Sequence, residues 1–360
     1  MRKGKRGLML ALFVSLILYF PGGASANRIG GDAYAFLKIG VGARALGMGG
    51  AFVAVADDGT AAYWNPAGLG SLGKREVSFM HTSVSGNTFT DAEDFESGHN
   101  LLSFVYPNPA GRKIGAFGFT WINLGVDKIP ETSADEYGEI ERKGFFTDSE
   151  SAYMLSYGTE VFPMAGAPLF YFGTSLKLMT QKLYNQSALG WGLDFGLIGN
   201  VNSIFQKREE AFFGIFNDVK MGLMVRINFD EQWKESRHKD SDPISGTIGL
   251  STNLIDTNIL RWLIAWDFHR TEESPFKTSV GTEVVLSLPG VSAAARAGIN
   301  NWYLNGARST DVKVIRKELN LAMEKAFGVG FRVMEMVQVD YAYVIARLGN
   351  RNRVSVGIRF

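Results

Sequence analysis

The chain has no cysteine among its 360 residues. This absence excludes a disulfide framework, thiolate metal ligands and a lipid-accepting cysteine. Only four histidines are present, and neither an H-E-x-x-H spacing nor a nearby carboxylate joins them, so we expect no metal site and no cofactor. The nucleophile motif G-x-S-x-G is also missing. The sequence therefore predicts a protein that is not an enzyme.

An excess of charge of either sign is also lacking. The chain has 37 basic and 36 acidic residues, a formal net charge of +1, so no long-range field favours nucleic acid, and we expect none as a partner. The run from Gly40 to Ala45 fits a dinucleotide-binding spacing. However, it lacks the preceding buried strand and the βαβ unit that such a site requires.

Long apolar runs are confined to the N-terminus. Four basic residues between Arg2 and Arg6 precede an apolar stretch from Leu8 to Phe20, and Ala24-Ser25-Ala26 follows it. This order predicts a secretory signal peptide over residues 1–26, cleaved after Ala26, and the alternative is a retained N-terminal anchor. No later window has 18 consecutive apolar residues, so the mature chain either is soluble in the periplasm or spans a membrane as strands.

Glycine and aromatic residues are abundant, with 42 Gly, 26 Phe, 12 Tyr and 7 Trp. Apolar residues recur at every second position to the end of the chain, as in Val354, Val356, Ile358 and Phe360. Successive strand side chains point to opposite faces, so one face of each strand is apolar. The other face is rich in Gly and Ala with isolated charges, which is typical of a crowded interior, whereas a soluble β-sandwich is the alternative.

The alternation marks fourteen candidate strands in residues 76–360. They lie near residues 76–83, 99–107, 113–123, 152–162, 168–180, 189–199, 219–229, 244–252, 260–269, 276–287, 292–300, 325–333, 336–347 and 352–360. Short connections alternate with long polar ones, such as Leu124 to Ser151, and only the long connection from Asn200 to Asp218 breaks this rule. The sequence predicts an all-β fold, a transmembrane antiparallel β-barrel of about 14 strands in the bacterial outer membrane.

Residues 27–75 show no such alternation and form a separate N-terminal segment. A barrel of fourteen strands encloses a lumen that must be filled if it is to be closed. We therefore predict that this segment is a luminal plug, and that residues 76–360 are the barrel.

Part of this segment resembles a known family. Gly42-Ala43-Arg44, Leu46 to Ala51, Ala56-Asp57-Asp58 and Trp64 to Leu69 together look like the N-terminal signature of the PorV/PorQ family. That family overlaps the uncharacterised UPF0164 group and belongs to the FadL-type barrels. The resemblance implies a fourteen-stranded barrel with an N-terminal plug. FadL relatives pass long-chain fatty acids and other hydrophobic molecules, and PorV relatives receive secreted proteins during type IX secretion.

The same resemblance implies hatch residues with roles in plug folding and gating: Asp57, Asp58, Asn65, Pro66 and Ala67. The alternative is that these residues only cap a helix and form a turn. The alternation separately places ionisable residues on the lumen side, with Asp194, Arg226, Asp267, Arg296, Arg332 and Asp340 as the candidates. We expect them to brace plug against wall, and a substrate-carboxylate site is the other possibility.

The chain ends on Phe360, directly after an alternating strand. This end resembles the signal that the outer-membrane barrel assembly machinery recognises, so the assembly machinery and outer-membrane lipid are expected partners. We expect transport or presentation of hydrophobic molecules or protein cargo. The alternative is a PorV-like type IX secretion subunit that binds secreted proteins and has no transport activity of its own.

Overall fold

The computed structural model describes residues 34–85, 96–108, 114–134, 137, 139–164, 167–201, 217–229, 231–233, 239–240, 244–271, 276–303, 323–346 and 349–360. In these residues one antiparallel sheet closes on itself, because its last strand pairs with its first between Glu76 and Arg359. Fourteen strands of the described chain form this wall. The predicted signal peptide lies outside the described residues.

The strands are numbered in chain order. They are β1 (Glu76–Ser85), β2 (Glu96–Pro107), β3 (Ala116–Ala134), β4 (Ile140–Met164), β5 (Ala167–Leu183), β6 (Gln186–Asn200), β7 (Asn217–Asn228), β8 (Glu231–Trp233), β9 (Lys239–Asp240), β10 (Ser245–Asp256), β11 (Leu260–Thr271), β12 (Lys277–Leu288), β13 (Val291–Tyr303), β14 (Glu324–Val333), β15 (Val337–Ile345) and β16 (Arg351–Arg359). The short strands β8 and β9 pair with each other beside β6, and the other fourteen form the wall.

The outer face of the wall is apolar. On β14 the side chains of Phe327, Val329 and Phe331 are exposed, whereas the alternating Ala326 and Gly328 are buried. A ring of exposed aromatic and aliphatic side chains is unfavourable in water and favourable in lipid. The predicted transmembrane barrel of fourteen strands is therefore confirmed. Within the described residues, no helix has the length and hydropathy to span a membrane.

The prediction of a long loop from Leu124 to Ser151 is wrong. β3 continues to Ala134 and β4 begins at Ile140, and the two pair from Ala116 to Ala134 with shifts of register near Val126 and Glu131. Beyond Asp127 no residue of β2 pairs with β3, so this part is a two-stranded ribbon. A ribbon outside the membrane needs no apolar outer face, and the hydrophobic alternation is therefore weak there. Most of the connection 200–218 lies outside the described residues.

Residues 34–72, which we call the luminal segment, precede the first strand. They form 3₁₀ helices at Ala35–Lys38 and Pro66–Ser71 and short α-helices α1 (Ala43–Gly47) and α2 (Ala61–Trp64). Most of their side chains are buried against inward-facing residues of the wall. The core of the molecule therefore lies inside the barrel, and the luminal segment supplies much of it.

Candidate functional site

The wall approaches the luminal segment through glycines. A Cβ added to Gly281 on β12 would lie 2.2 Å from the carbonyl oxygen of Met48, and one added to Gly173 on β5 would lie 2.2 Å from the carbonyl carbon of Pro66. These separations are shorter than any non-bonded contact, so only glycine fits. Five further wall glycines face the luminal segment at a similarly close approach: Gly158, Gly196, Gly222, Gly249 and Gly298. We call these seven residues the glycine belt.

The predicted Asn65-Pro66-Ala67 block forms the turn that contacts β5 and β6. The fully buried Asn65 accepts a hydrogen bond from the backbone N–H of Ala67 (3.1 Å) through Oδ1, and thereby caps the 3₁₀ helix. Its Nδ2 donates to the carbonyl oxygen of Val53 (2.9 Å) and contacts that of Leu197 on the wall (3.3 Å). Asn65 therefore caps a helix and also joins two parts of the luminal segment to the barrel.

Asp57 and Asp58 both contact the guanidinium of Arg44. Nη1 of Arg44 donates to Oδ1 of Asp57 and to Oδ2 of Asp58, the latter at 3.1 Å. The other edge of the same guanidinium forms a bidentate pair with Glu283 on β12, with Nε and Nη2 at 2.8 and 3.0 Å from the carboxylate oxygens. Arg44 thus connects the predicted carboxylates to the wall through one planar group.

The contact between Arg44 and the carboxylates determines the ionisation of Arg44 and Asp57. Burial lowers the pKa of Arg44, but the carboxylates of Asp57, Glu283 and Asp58 outweigh burial and raise the pKa well above its usual value. Burial likewise raises the pKa of Asp57, and the charge and hydrogen bond of Arg44 outweigh it and lower the pKa to about 2. Both groups are therefore charged at neutral pH.

Glu283 is the centre of a larger ionic cluster in the wall. Its carboxylate also accepts from Nε of Arg296 at 2.7 Å and from Nη2 of Arg261 at 2.9 Å. Arg296 in turn donates to Asp340 at 2.8 Å. We define the ionic cluster as Arg44, Asp57, Asp58, Arg261, Glu283, Arg296 and Asp340. Because Glu283 is fully buried, loss of one arginine would leave its charge incompletely compensated.

Three other predicted lumen residues contact the luminal segment or line the space beside it. Asp267 accepts from the backbone N–H groups of Phe52 and Val53 at 2.8 and 2.9 Å. Arg226 donates to the carbonyl oxygen of Tyr63 at 2.7 Å. Asp194 pairs with Lys177 at 2.7 Å, and both line a small cavity. These residues belong to three separate contacts and not to the ionic cluster.

The described bonding partners of Arg332 and Phe360 lie outside the luminal segment. Arg332 donates to the side chain of Gln338 (2.6 and 3.0 Å) and pairs with the exposed Glu335 (3.3 Å). Phe360 pairs with Arg75 through two backbone hydrogen bonds, and its ring is exposed on the outside of the barrel. The assembly role of Phe360 stays a prediction.

A cavity of about 260 Å³ lies between the luminal segment and the wall, beside residues of β7 and of β10 to β13. It combines apolar side chains, including Leu46, Val53 and Trp64, with the polar side chains of Lys38, Arg226, Asp267, His269 and Lys277. A smaller cavity of about 50 Å³, lined by Asp194 and Lys177, shares Tyr63, Arg226 and His269 with it. The larger volume is close to the lower end of the range for ligand pockets, ~300–1,000 Å³.

Sequence reasoning placed Arg226 and Asp267 on the lumen side, but it did not assign roles to Arg44, Arg261 or the other cavity residues. Glu283 faces inward by alternation, but its pairing with Arg44 joins residues 239 positions apart in the sequence, which no local pattern reveals. The signal that was available is the glycine-rich inner face. It indicated a crowded interior without showing which backbone atoms fill it.

No protein-family model matches the chain, and no curated protein sequence matches it. Several solved structures are similar. The toluene transporter TodX of P. putida has a TM-score of 0.56 at 11% identity, covering 89% of this chain and 99% of that chain. The toluene transporter TbuX of Ralstonia pickettii has a TM-score of 0.53 at 12% identity, covering 89% and 98%. The CymD monoaromatic hydrocarbon channel has a TM-score of 0.53 at 11% identity, covering 89% and 97%.

At these identities the similarity concerns the fold. The chain has the fold of these hydrocarbon channels. Membership of the FadL-type barrels, and of the narrower PorV/PorQ family, stays a prediction.

Proposed function

We propose that the protein is an outer-membrane channel for small hydrophobic molecules, and that the luminal segment holds this channel closed. The observation that carries the proposal is the cavity between the luminal segment and the wall. An apolar surface at Leu46, Val53 and Trp64 can accept a hydrophobic body, and the fold is shared with channels whose names specify toluene and monoaromatic hydrocarbons. Asp57, Asp58, Asn65, Pro66 and Ala67 would then act by fastening the luminal segment.

The charges around the cavity extend the proposal to hydrophobic acids. Lys38, Arg226 and Lys277 line it beside one acidic side chain, that of Asp267. Basic side chains in the lining favour a ligand with an acidic end, such as a long-chain fatty acid. A neutral hydrocarbon would use only the apolar part.

Uptake by bacterial cells that lack their own hydrocarbon and fatty-acid channels tests this function. Cells that produce the protein should take up radiolabelled toluene and a long-chain fatty acid faster than cells with the empty vector. The variant Lys277→Met should reduce fatty-acid uptake severalfold and leave toluene uptake unchanged. The matched control is Lys182→Met, an exposed residue of β5 that is not part of the cavity lining. Equal uptake with and without the protein would contradict the proposal.

The β3–β4 ribbon favours a second candidate, the secretion subunit. Tyr137, Ile140 and Phe145 are exposed there beyond the paired part of β2, and exposed apolar side chains outside a membrane are typical of protein interaction sites. Replacing residues 128–147 by a short Gly-Ser turn should abolish binding of secreted proteins that carry type IX C-terminal domains, while toluene uptake persists. A genome without such proteins would remove this candidate.

A further inference from the structure

Three polar residues lie side by side on the inner face of β16, β1 and β2. Thr82 is directly opposite Arg353 in one strand pairing and opposite His99 in the other. All three are enclosed, since the exposed fractions of Arg353, Thr82 and His99 are 1%, 1% and 0%. None of the three belongs to the ionic cluster or to the cavity lining described above. We call them the polar row.

The polar row has an unusual number of polar atoms without a partner. Oγ1 of Thr82, both ring nitrogens of His99 and Nε of Arg353 form no hydrogen bond in the described structure. Buried polar groups normally have partners, because an unsatisfied group loses its hydrogen bonds to water and gains none in return. Four such atoms on three adjacent side chains point to a bound group that accepts hydrogen bonds.

The charge of Arg353 specifies what that group is. Its Nη1 donates to the carbonyl oxygens of Ile39 (3.2 Å) and Gly40 (3.4 Å), and within the described ranges no carboxylate pairs with it. By contrast, Arg44 and Arg296 each pair with carboxylates. A buried guanidinium without a counter-charge is strongly unfavourable. A water molecule could satisfy the hydrogen bonds, but it would leave this charge uncompensated.

We propose that the polar row binds a small monovalent anion, with chloride as the physiological candidate. Nε–H of Arg353, the hydroxyl of Thr82 and one ring N–H of His99 are the donors, and their nearly complete burial favours a small ligand. The site lies where Arg353 holds Ile39 and Gly40, so the anion also stabilises the start of the luminal segment against the wall. This inference does not depend on which molecule the channel carries.

Bromide is the probe for the first experiment, because it replaces chloride and scatters anomalously. Crystals of the mature protein soaked in sodium bromide should show an anomalous peak within hydrogen-bonding distance of Nε of Arg353 and Oγ1 of Thr82. The isosteric variant Thr82→Val should lower the occupancy of that peak at least severalfold, and Arg353→Met should abolish it. Absence of the peak from the parent protein, or its persistence in Arg353→Met, would overturn the proposal.

Urea unfolding in detergent provides the solution test. The midpoint of the parent should be higher in sodium chloride than in sodium gluconate of equal ionic strength, and this difference should disappear in Arg353→Met and shrink in Thr82→Val. The matched control is Arg351→Met on the same strand, whose arginine pairs with Glu324 at 3.7 Å, and it should keep the full chloride dependence. If Arg353→Met does not fold, Thr82→Val decides, and an unchanged chloride dependence there contradicts an anion at this site.

Discussion

Two regions of the contact between the luminal segment and the wall differ. In the first, which we call the fixed side, Arg44 forms a bidentate ion pair with Glu283 on β12, and the glycine belt brings backbone against backbone. The second is the cavity of about 260 Å³, which is lined by Trp64 and by residues of β7 and of β10 to β13. The first region fixes the luminal segment, and the second leaves room for a ligand. The ionic cluster and the cavity lining share no residue, although Arg226 and Asp267 line the cavity and also bond the luminal segment.

Breaking the fixed side should have the largest effect. Arg44→Met leaves Glu283 buried with fewer partners, and loss of one member of a buried ion pair costs about 3–5 kcal/mol. We expect the luminal segment to detach from β12, so that planar-bilayer recordings show a larger and noisier conductance than those of the parent. The wall should remain folded and heat-modifiable on gels, because its hydrogen bonds do not involve Arg44.

The control for this variant is Arg332→Met. Arg332 is also an inward arginine of the wall, but its partners are Gln338 and Glu335. The conductance of the Arg332→Met variant should equal that of the parent. Equal conductance in all three proteins would show that Arg44 does not hold the luminal segment.

The glycine belt offers a smaller perturbation of the same side. Gly281→Val inserts a side chain where the carbonyl oxygen of Met48 lies, and overpacking of this kind costs about 1–3 kcal/mol. Conductance should rise, but less than in Arg44→Met. Gly125→Val is the matched control, since a Cβ at Gly125 has nothing within 4 Å. An equal increase in both variants would indicate a general effect of valine in a strand.

The sequence was sufficient to predict the wall but not the contacts inside it. Alternation in segments such as 325–333 follows directly from one lipid face and one crowded face, and all fourteen predicted segments correspond to wall strands. The ribbon of β3 and β4 was missed because its residues need no lipid face. The pairing of Arg44 with Glu283 was missed because it depends on how the luminal segment is folded within the closed barrel, and a single sequence contains no direct signal of that.

Acid should have the smallest effect on the fixed side. The pKa of Asp57 is lowered to about 2 by Arg44, below the unfolded value of ~3.9, so its contribution to closure is complete above about pH 4 and is lost as the pH falls towards 2. The contribution is small because the Asp57 side chain is 35% exposed. Between about pH 4 and pH 2.5, parent conductance should rise more steeply than that of Asp57→Asn. Identical pH profiles would exclude Asp57 from closure.

The central claim is that the luminal segment must move before a molecule can pass, and a reversible lock tests it most directly. An ideal Cβ at Gly59 of the luminal segment lies 3.1 Å from Cβ of Ser78 on β1, slightly below the separation of ~3.5–4.5 Å across a disulfide. The chain has no cysteine of its own, so Gly59→Cys with Ser78→Cys introduces a single possible pair. Toluene uptake should be lost in oxidised cells that produce this variant and should return on reduction, whereas each single-cysteine variant should not respond to redox conditions. Full uptake through the oxidised, cross-linked protein would contradict the account.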